Sequence, residues 1–115
     1  FADQTLLDEF GKETILATWL VRDGYGLTDK PEELNLAGYK GYYIGKHLYL
    51  IDTKIPNEAI EELVVRYETD GNFNPENLVL FGYSFTWTEM EQLKINLKRL
   101  KNTDKNLSIN FDVRY

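Results

Sequence analysis

The sequence predicts a small α/β fold, a three-layer sandwich on a mixed four-stranded sheet with elements in the order α-β-β-α-β-α-β. Three observations carry the prediction. Leu78-Val79-Leu80-Phe81 is a short, fully apolar run of the kind found in strands buried on both faces, the habit of parallel sheets covered by helices. That run breaks at Gly82, and Thr86 followed three residues later by Glu89 reads as a capping box that satisfies backbone donors left free by a first helical turn. Upstream, Tyr39 to Ile44 and His47 to Asp52 are rich in aromatic and branched residues and flank Gly45-Lys46, a glycine-first pair that suits a type II′ hairpin.

Taken in order, a first helix is expected from near Asp3 or Thr5 to Arg22, with Leu6, Phe10, Ile15, Leu16, Trp19 and Leu20 as its apolar stripe. Gly11 interrupts it, and Asp23-Gly24-Tyr25-Gly26 ends it. Thr28 to Leu36 is polar, contains Pro31 and reads as a loop with at most one helical turn. After the hairpin, Pro56 and Asn57 mark the start of a second helix whose Ile60, Leu63, Val64 and Tyr67 recur at helical spacing. Asp70-Gly71-Asn72-Phe73-Asn74-Pro75 closes it as a turn-rich loop. The capped third helix spans about Trp87 to Lys101, with Met90, Leu93, Leu97 and Leu100 on one face and Ile95 on the other. Leu107 to Arg114 alternates apolar and polar residues, the mark of a strand covered on one face and lying toward an edge. A hairpin followed by two strand–helix–strand units implies two right-handed crossovers on one side of the sheet and the first helix on the other.

Composition narrows the function classes. At 115 residues, 43% hydrophobic and 28% charged, the chain suits one soluble domain spanning residues 1–115. No apolar run reaches the roughly 20 residues of a membrane helix. The opening Phe1-Ala2-Asp3-Gln4 lacks both an initiating Met and a leader pattern, and reads as a piece of a longer protein. With no cysteine, thiolate nucleophiles and cysteine metal sites are ruled out, and a reducing compartment such as the cytoplasm fits. A formal charge of −6 repels a polyanion, so DNA contact would need a local patch. Lys94, Lys98, Arg99, Lys101 and Lys105 form the densest basic cluster, although acids at the start of that helix and bases at its end also suit its dipole.

Ligands of open α/β sheets sit beyond the carboxyl ends of the strands. Asp52 follows one inner strand; Gly82, Tyr83 and Ser84 follow the other, with Thr86 capping the next helix. These five residues form a candidate cleft for a small anion or polar group, or else serve only turns and caps. Familiar motifs fail. Gly24-Tyr25-Gly26 lacks the third glycine and preceding strand of a dinucleotide fingerprint. Asp70, Asn72 and Asn74 are spaced like the start of a calcium loop, but Pro75 stands where glycine is required. His47 has no nucleophile elbow to serve, and Glu58, Glu61 and Glu62 read as a solvated helix face. No catalytic, cofactor-binding or metal residues are assigned. A docking role would instead use an exposed apolar patch drawn from Ile95, Tyr25, Phe73 and Phe85, and a DNA role would use Lys98 and Arg99. The hairpin residues Tyr39, Tyr42, Tyr43 and Tyr49 serve either cross-strand packing or a contact surface.

Glu13-Thr14-Ile15 with Trp19-Leu20 and Asp23-Gly24-Tyr25-Gly26, then Leu48-Tyr49-Leu50-Ile51-Asp52, Phe81-Gly82-Tyr83-Ser84-Phe85 and Val113-Arg114-Tyr115 form an ordered series over most of the chain. The series resembles the C-terminal region of the modification subunits of type III restriction-modification systems, adenine-specific DNA methyltransferases. The resemblance implies a parent that moves a methyl group from S-adenosylmethionine to a flipped adenine. That family's Asp-Pro-Pro-Tyr and Phe-x-Gly-x-Gly motifs are absent from this chain, with Tyr83 standing where the second needs glycine. The implied role is an accessory domain without its own cofactor. Its implied partners are other domains of the same chain, a second modification subunit, a restriction subunit, and DNA through the parent. The competing readings are a protein- or small-ligand-binding module of an unrelated protein, and a small enzyme with a site assembled across the strand ends.

Overall fold

The computed structural model describes residues 11–26, 28–98 and 109–115. Among these, the elements in order are α1 (Lys12–Arg22), β1 (Glu32–Leu36), β2 (Tyr39–Ile44), β3 (His47–Leu50), α2 (Asn57–Thr69), β4 (Asn77–Phe81), a 3-10 turn (Gly82–Ser84), α3 (Trp87–Lys98) and β5 (Asn110–Arg114). The strands lie side by side in chain order as one mixed sheet. β1, β2 and β3 pair antiparallel; β3, β4 and β5 pair parallel.

The sheet has five strands rather than the four expected, because β1 occupies part of the segment read as a loop. Glu32-Glu33-Leu34-Asn35-Leu36 buries only Leu34 and Leu36 and exposes the rest, so its apolar signal is two residues long. Its turn is also atypical. Ala37 and Gly38 join β1 to β2 with φ of 52° and 90°, the doubly left-handed backbone of a type I′ turn, for which Asn-Gly is the usual sequence. Gly38 N–H donates to Asn35 Oδ1 at 2.7 Å and steadies the reversal. At the second hairpin Gly45 has φ of 55° and Lys46 is not left-handed, as a glycine-first II′ turn requires.

Alternate residues of the inner strands feed two cores. Leu48, Leu50, Leu78 and Leu80 point to one side, where Ile60 and Leu63 of α2 and Leu93 and Leu97 of α3 cover them. Tyr49, Ile51, Val79 and Phe81 point to the other, against Trp19 and Leu20 of α1. Both faces of the sheet are therefore sealed, which accounts for the unbroken apolar run at 78–81. The capping box forms as read: Glu89 N–H donates to Thr86 Oγ1 at 3.2 Å, and Thr86 N–H donates to Glu89 Oε1 at 2.8 Å.

β5 lies at the sheet edge, as its alternation predicted, but its polar side is not simply solvated. Phe111 and Val113 pack into the core beneath α2 and α3, whereas Arg114 turns toward α1 and is 7% exposed. The expected beginnings of the first helix at Asp3 or Thr5, with Leu6 and Phe10, lie outside the described residues. So do Arg99, Leu100, Lys101, Lys105 and Leu107.

Candidate functional site

The most concentrated polar chemistry lies between the end of α1 and the sheet. Asp23 stops α1 and is carried over β3. Its Oδ1 accepts from Arg114 Nη2 at 2.8 Å, and its Oδ2 accepts from Arg114 Nη1 at 3.0 Å and from the Tyr49 hydroxyl at 2.6 Å. His47 Nε2 stands 3.9 Å from the same Oδ2, and the imidazole lies nearly parallel to the Tyr49 ring, 5.8 Å between centroids. Arg114 also donates from Nε to Asp112 Oδ2 at 2.9 Å, and its guanidinium lies over Trp19 at 5.5 Å. Tyr25 closes the cluster, its hydroxyl 2.8 Å from His47 Nδ1 and within reach of Ile44 O. Gly45 is required beneath it, since a β-carbon there would collide with the Tyr25 hydroxyl.

Electrostatics follow from this wiring. Burial opposes ionisation of Asp23, but the hydrogen bonds from Arg114 and Tyr49, with the charges of Arg114 and His47, outweigh it and hold the carboxyl below its ordinary value. Burial and the bond to Asp23 push the Tyr49 hydroxyl far above the usual phenol range. Four N–H groups of Arg114 are directed at carboxylate oxygens, and both oxygens of Asp23 are occupied. The cluster is internally satisfied and acts as a clamp, with its strongest donors and acceptors turned on one another.

The sequence-derived cleft residues distribute differently. Asp52 accepts from Lys12 Nζ at 2.8 Å, its backbone carbonyl accepts from the Tyr39 hydroxyl, and Lys12 also lies 5.9 Å from the Tyr42 ring centre. A polar groove of about 420 Å³ beside Asp52 is walled by Ala37, Gly38, Tyr39, Thr53, Lys54 and Pro56. Gly82, Tyr83, Ser84 and Thr86 are not among its walls. Gly82 is buried under the Tyr115 ring, which occupies the space a side chain would need. Ser84 is fully buried and its Oγ has no hydrogen-bond partner, while Thr86 is engaged in the capping box. A wider hollow of about 530 Å³ lies on the outward side of α1, against Glu13, Thr14, Ala17, Thr18 and Val21, with no convergence of polar groups from a second element among the described residues.

Of the residues named for a docking patch, Ile95 is 49% exposed and Lys98 lies exposed at the end of α3. Phe73 and Phe85 do not belong to an exposed patch. Phe73 is held 5.0 Å from both the Tyr43 and Tyr67 rings, and Phe85 is 1% exposed in the core beneath α2 and α3. The reason is local: extended backbone at Phe85, just ahead of the cap, directs its ring inward. Tyr25 is half-buried in the Asp23 cluster. Tyr49 is fully buried, so this hairpin tyrosine serves packing. The loop from Asp70 is a turn, in which Asn72 N–H donates to Asp70 Oδ1 at 3.0 Å.

The sequence reads Asp23 as a helix end and Arg114 as part of the last strand, both within the resemblance, and neither as a site residue. The one available signal was an arginine placed on the polar side of an otherwise regular strand. Of the exposed aromatics Tyr83, Trp87 and Tyr115, at 38%, 72% and 75%, only Tyr83 belongs to a sequence-derived candidate site.

Comparison with known proteins gives a consistent result. A family model described as the type III R-M EcoP15I C-terminal domain matches residues 10–107. The chain is 32% identical over 114 residues to the Mod subunit of the type III restriction-modification enzyme EcoP15I of Escherichia coli, a match covering 99% of this chain and 18% of that protein. It is 31% identical over 114 residues to the EcoPI Mod subunit of Escherichia phage P1, with the same coverages. It is 35% identical over 91 residues to the StyLTI Mod subunit of Salmonella typhimurium, covering 78% of this chain and 14% of that protein. The chain thus spans less than a fifth of the length of these curated relatives. The ordered series of short motifs, the matched family and the alignments along the chain agree: this chain belongs to the family of C-terminal domains found in the Mod subunits of type III restriction-modification enzymes.

Proposed function

We propose that this domain is a noncatalytic accessory part of an S-adenosylmethionine-dependent, adenine-specific DNA methyltransferase, serving subunit assembly or the positioning of DNA. The observation that carries the proposal is the closed wiring of Asp23, Arg114 and Tyr49. The densest set of chemically capable groups among the described residues binds itself, which supports a surface role. No cofactor is proposed for this segment. In the turn after β4, where a glycine would let a nucleotide approach the backbone, the Tyr115 ring lies on Gly82. Methyl transfer is accordingly assigned to the remainder of the parent chain, and no step of it is assigned to these residues. No helix among the described residues is long and apolar enough to cross a membrane.

The proposal is tested by measuring transfer of labelled methyl groups to adenine-containing duplex DNA. The full-length parent should be active. A version lacking this domain should retain cofactor binding but lose subunit association or DNA affinity. Methyl transfer by residues 1–115 alone would refute the reading.

A further inference from the structure

We infer that the carboxyl edge of the parallel strands is the surface on which the preceding body of the same polypeptide docks, an inference that rests on the accessory-domain reading. β3, β4 and β5 run parallel and adjacent, so their carboxyl ends share one edge. Three large aromatic side chains follow those ends and remain open to water: Tyr83 just beyond β4, Trp87 at the start of α3, and Tyr115 just beyond β5. Tyr83 and Tyr115 are seated. Their rings meet edge to face at 5.2 Å, Tyr83 rests against Phe81 at 5.4 Å, and the bare backbone of Gly82 receives the Tyr115 ring. Pre-ordered aromatic groups lose little side-chain freedom on contact and are enriched at interface cores.

The choice of occupant comes from the path of the chain. Lys12, the first residue of α1, is bonded to Asp52 just past the carboxyl end of β3, and α1 then runs away from that edge to Asp23, which stands over His47 at the opposite end of the strand. The described chain therefore enters α1 at the carboxyl edge of the strands. The matched family is a C-terminal domain, and the matched region is 18% of the length of two Mod relatives, so the bulk of such a chain precedes it. DNA is a poorer occupant. Lys12 is held at this edge by Asp52, and Arg114 folds its guanidinium back from the end of β5 onto Asp112 and Asp23, so neither is free to grip phosphate, and exposed Lys54 past the end of β3 is left to meet it.

Hydroxyl-radical oxidation of the full-length parent protein, read by mass spectrometry, tests the inference. Tyr83, Trp87 and Tyr115 should be oxidised several-fold more slowly than their exposure in the domain allows, with the partly exposed Tyr42 and Tyr43 as internal references. The paired substitution Trp87→Glu and Tyr115→Glu in the full-length chain should speed proteolysis ahead of Gly11 several-fold. Full oxidation of the three rings would overturn the inference, and so would protection that arises only after DNA or a separate subunit is added. Methyl transfer measured on the same sample separates the two readings: exposed rings in an active full-length enzyme sink the docking surface alone, whereas an inactive one sinks the accessory role.

Discussion

Asp23 and Arg114 lie 91 residues apart in the chain and meet as a two-pronged ion pair, with bonds of 2.8 and 3.0 Å and both side chains at most 10% exposed. The pair joins the end of α1 to the edge strand β5. It thus adds a polar tie between the one-helix layer and the sheet to the apolar packing of Trp19 and Leu20 against Tyr49, Ile51, Val79 and Phe81. Because the ions are shielded from water and further bonded by Tyr49 and Asp112, breaking the pair is costly even though its net worth against a hydrophobic replacement is small.

Asp23→Asn should destabilise the chain by about 3 kcal/mol, since it leaves Arg114 buried with a single, more exposed carboxylate partner. The double replacement Asp23→Leu with Arg114→Met should cost clearly less than the sum of the single changes. Urea unfolding of the four proteins measures the coupling; additive losses would show that the pair does not act as a unit.

The acid limb of stability should carry the same signature. The Asp23 carboxyl is below its ordinary value in the folded chain, so its stabilisation is complete above the unfolded-state value and is lost as pH falls through the folded-state value. The stability gap between the native sequence and Asp23→Asn should therefore shrink as pH is lowered across that acidic window. Unfolding midpoints collected as a function of pH provide the check.

Ala37 holds a left-handed φ of 52° in the β1–β2 turn, where a β-carbon is unfavourable. Ala37→Asn should stabilise the chain by about 0.5–1 kcal/mol by restoring the preferred Asn-Gly pair. A thermal melt that does not rise would mean the turn is held in place by other contacts.

Ser84 Oγ is buried without a hydrogen-bond partner, a situation that costs about 1–3 kcal/mol relative to a satisfied or apolar group. Ser84→Ala should be neutral or stabilising by up to about 1 kcal/mol. Loss of assembly or DNA binding by the parent without loss of stability would instead give Ser84 a functional role.

Legibility differed sharply between fold and site. The inner strands, the capped α3 and the Gly45 hairpin were readable because each is encoded within a few consecutive residues: an apolar run, a Thr-Glu pair at the right spacing, a glycine at a turn. β1 escaped notice because an edge strand with one covered face needs only two apolar residues, and its turn uses Ala-Gly. The site was harder still. Asp52 was placed correctly after a strand end, yet the sequence does not show that Lys12 would neutralise it. Ser84 and Gly82 follow the other strand as expected, but the fold buries one and roofs the other with Tyr115.

From the sequence alone came every element but β1, the sealing of the sheet on both sides and the family, all properties of neighbouring residues or of their order. Only the tertiary structure decided that Asp23 clamps Arg114, that Phe73 and Phe85 turn inward, and that Tyr83, Trp87 and Tyr115 stay exposed beyond the ends of β4 and β5. The physical reason is range. Hydrogen bonding and hydrophobic periodicity act along a few residues and leave a local pattern, whereas ion pairing and ring contacts depend on where distant segments are brought together.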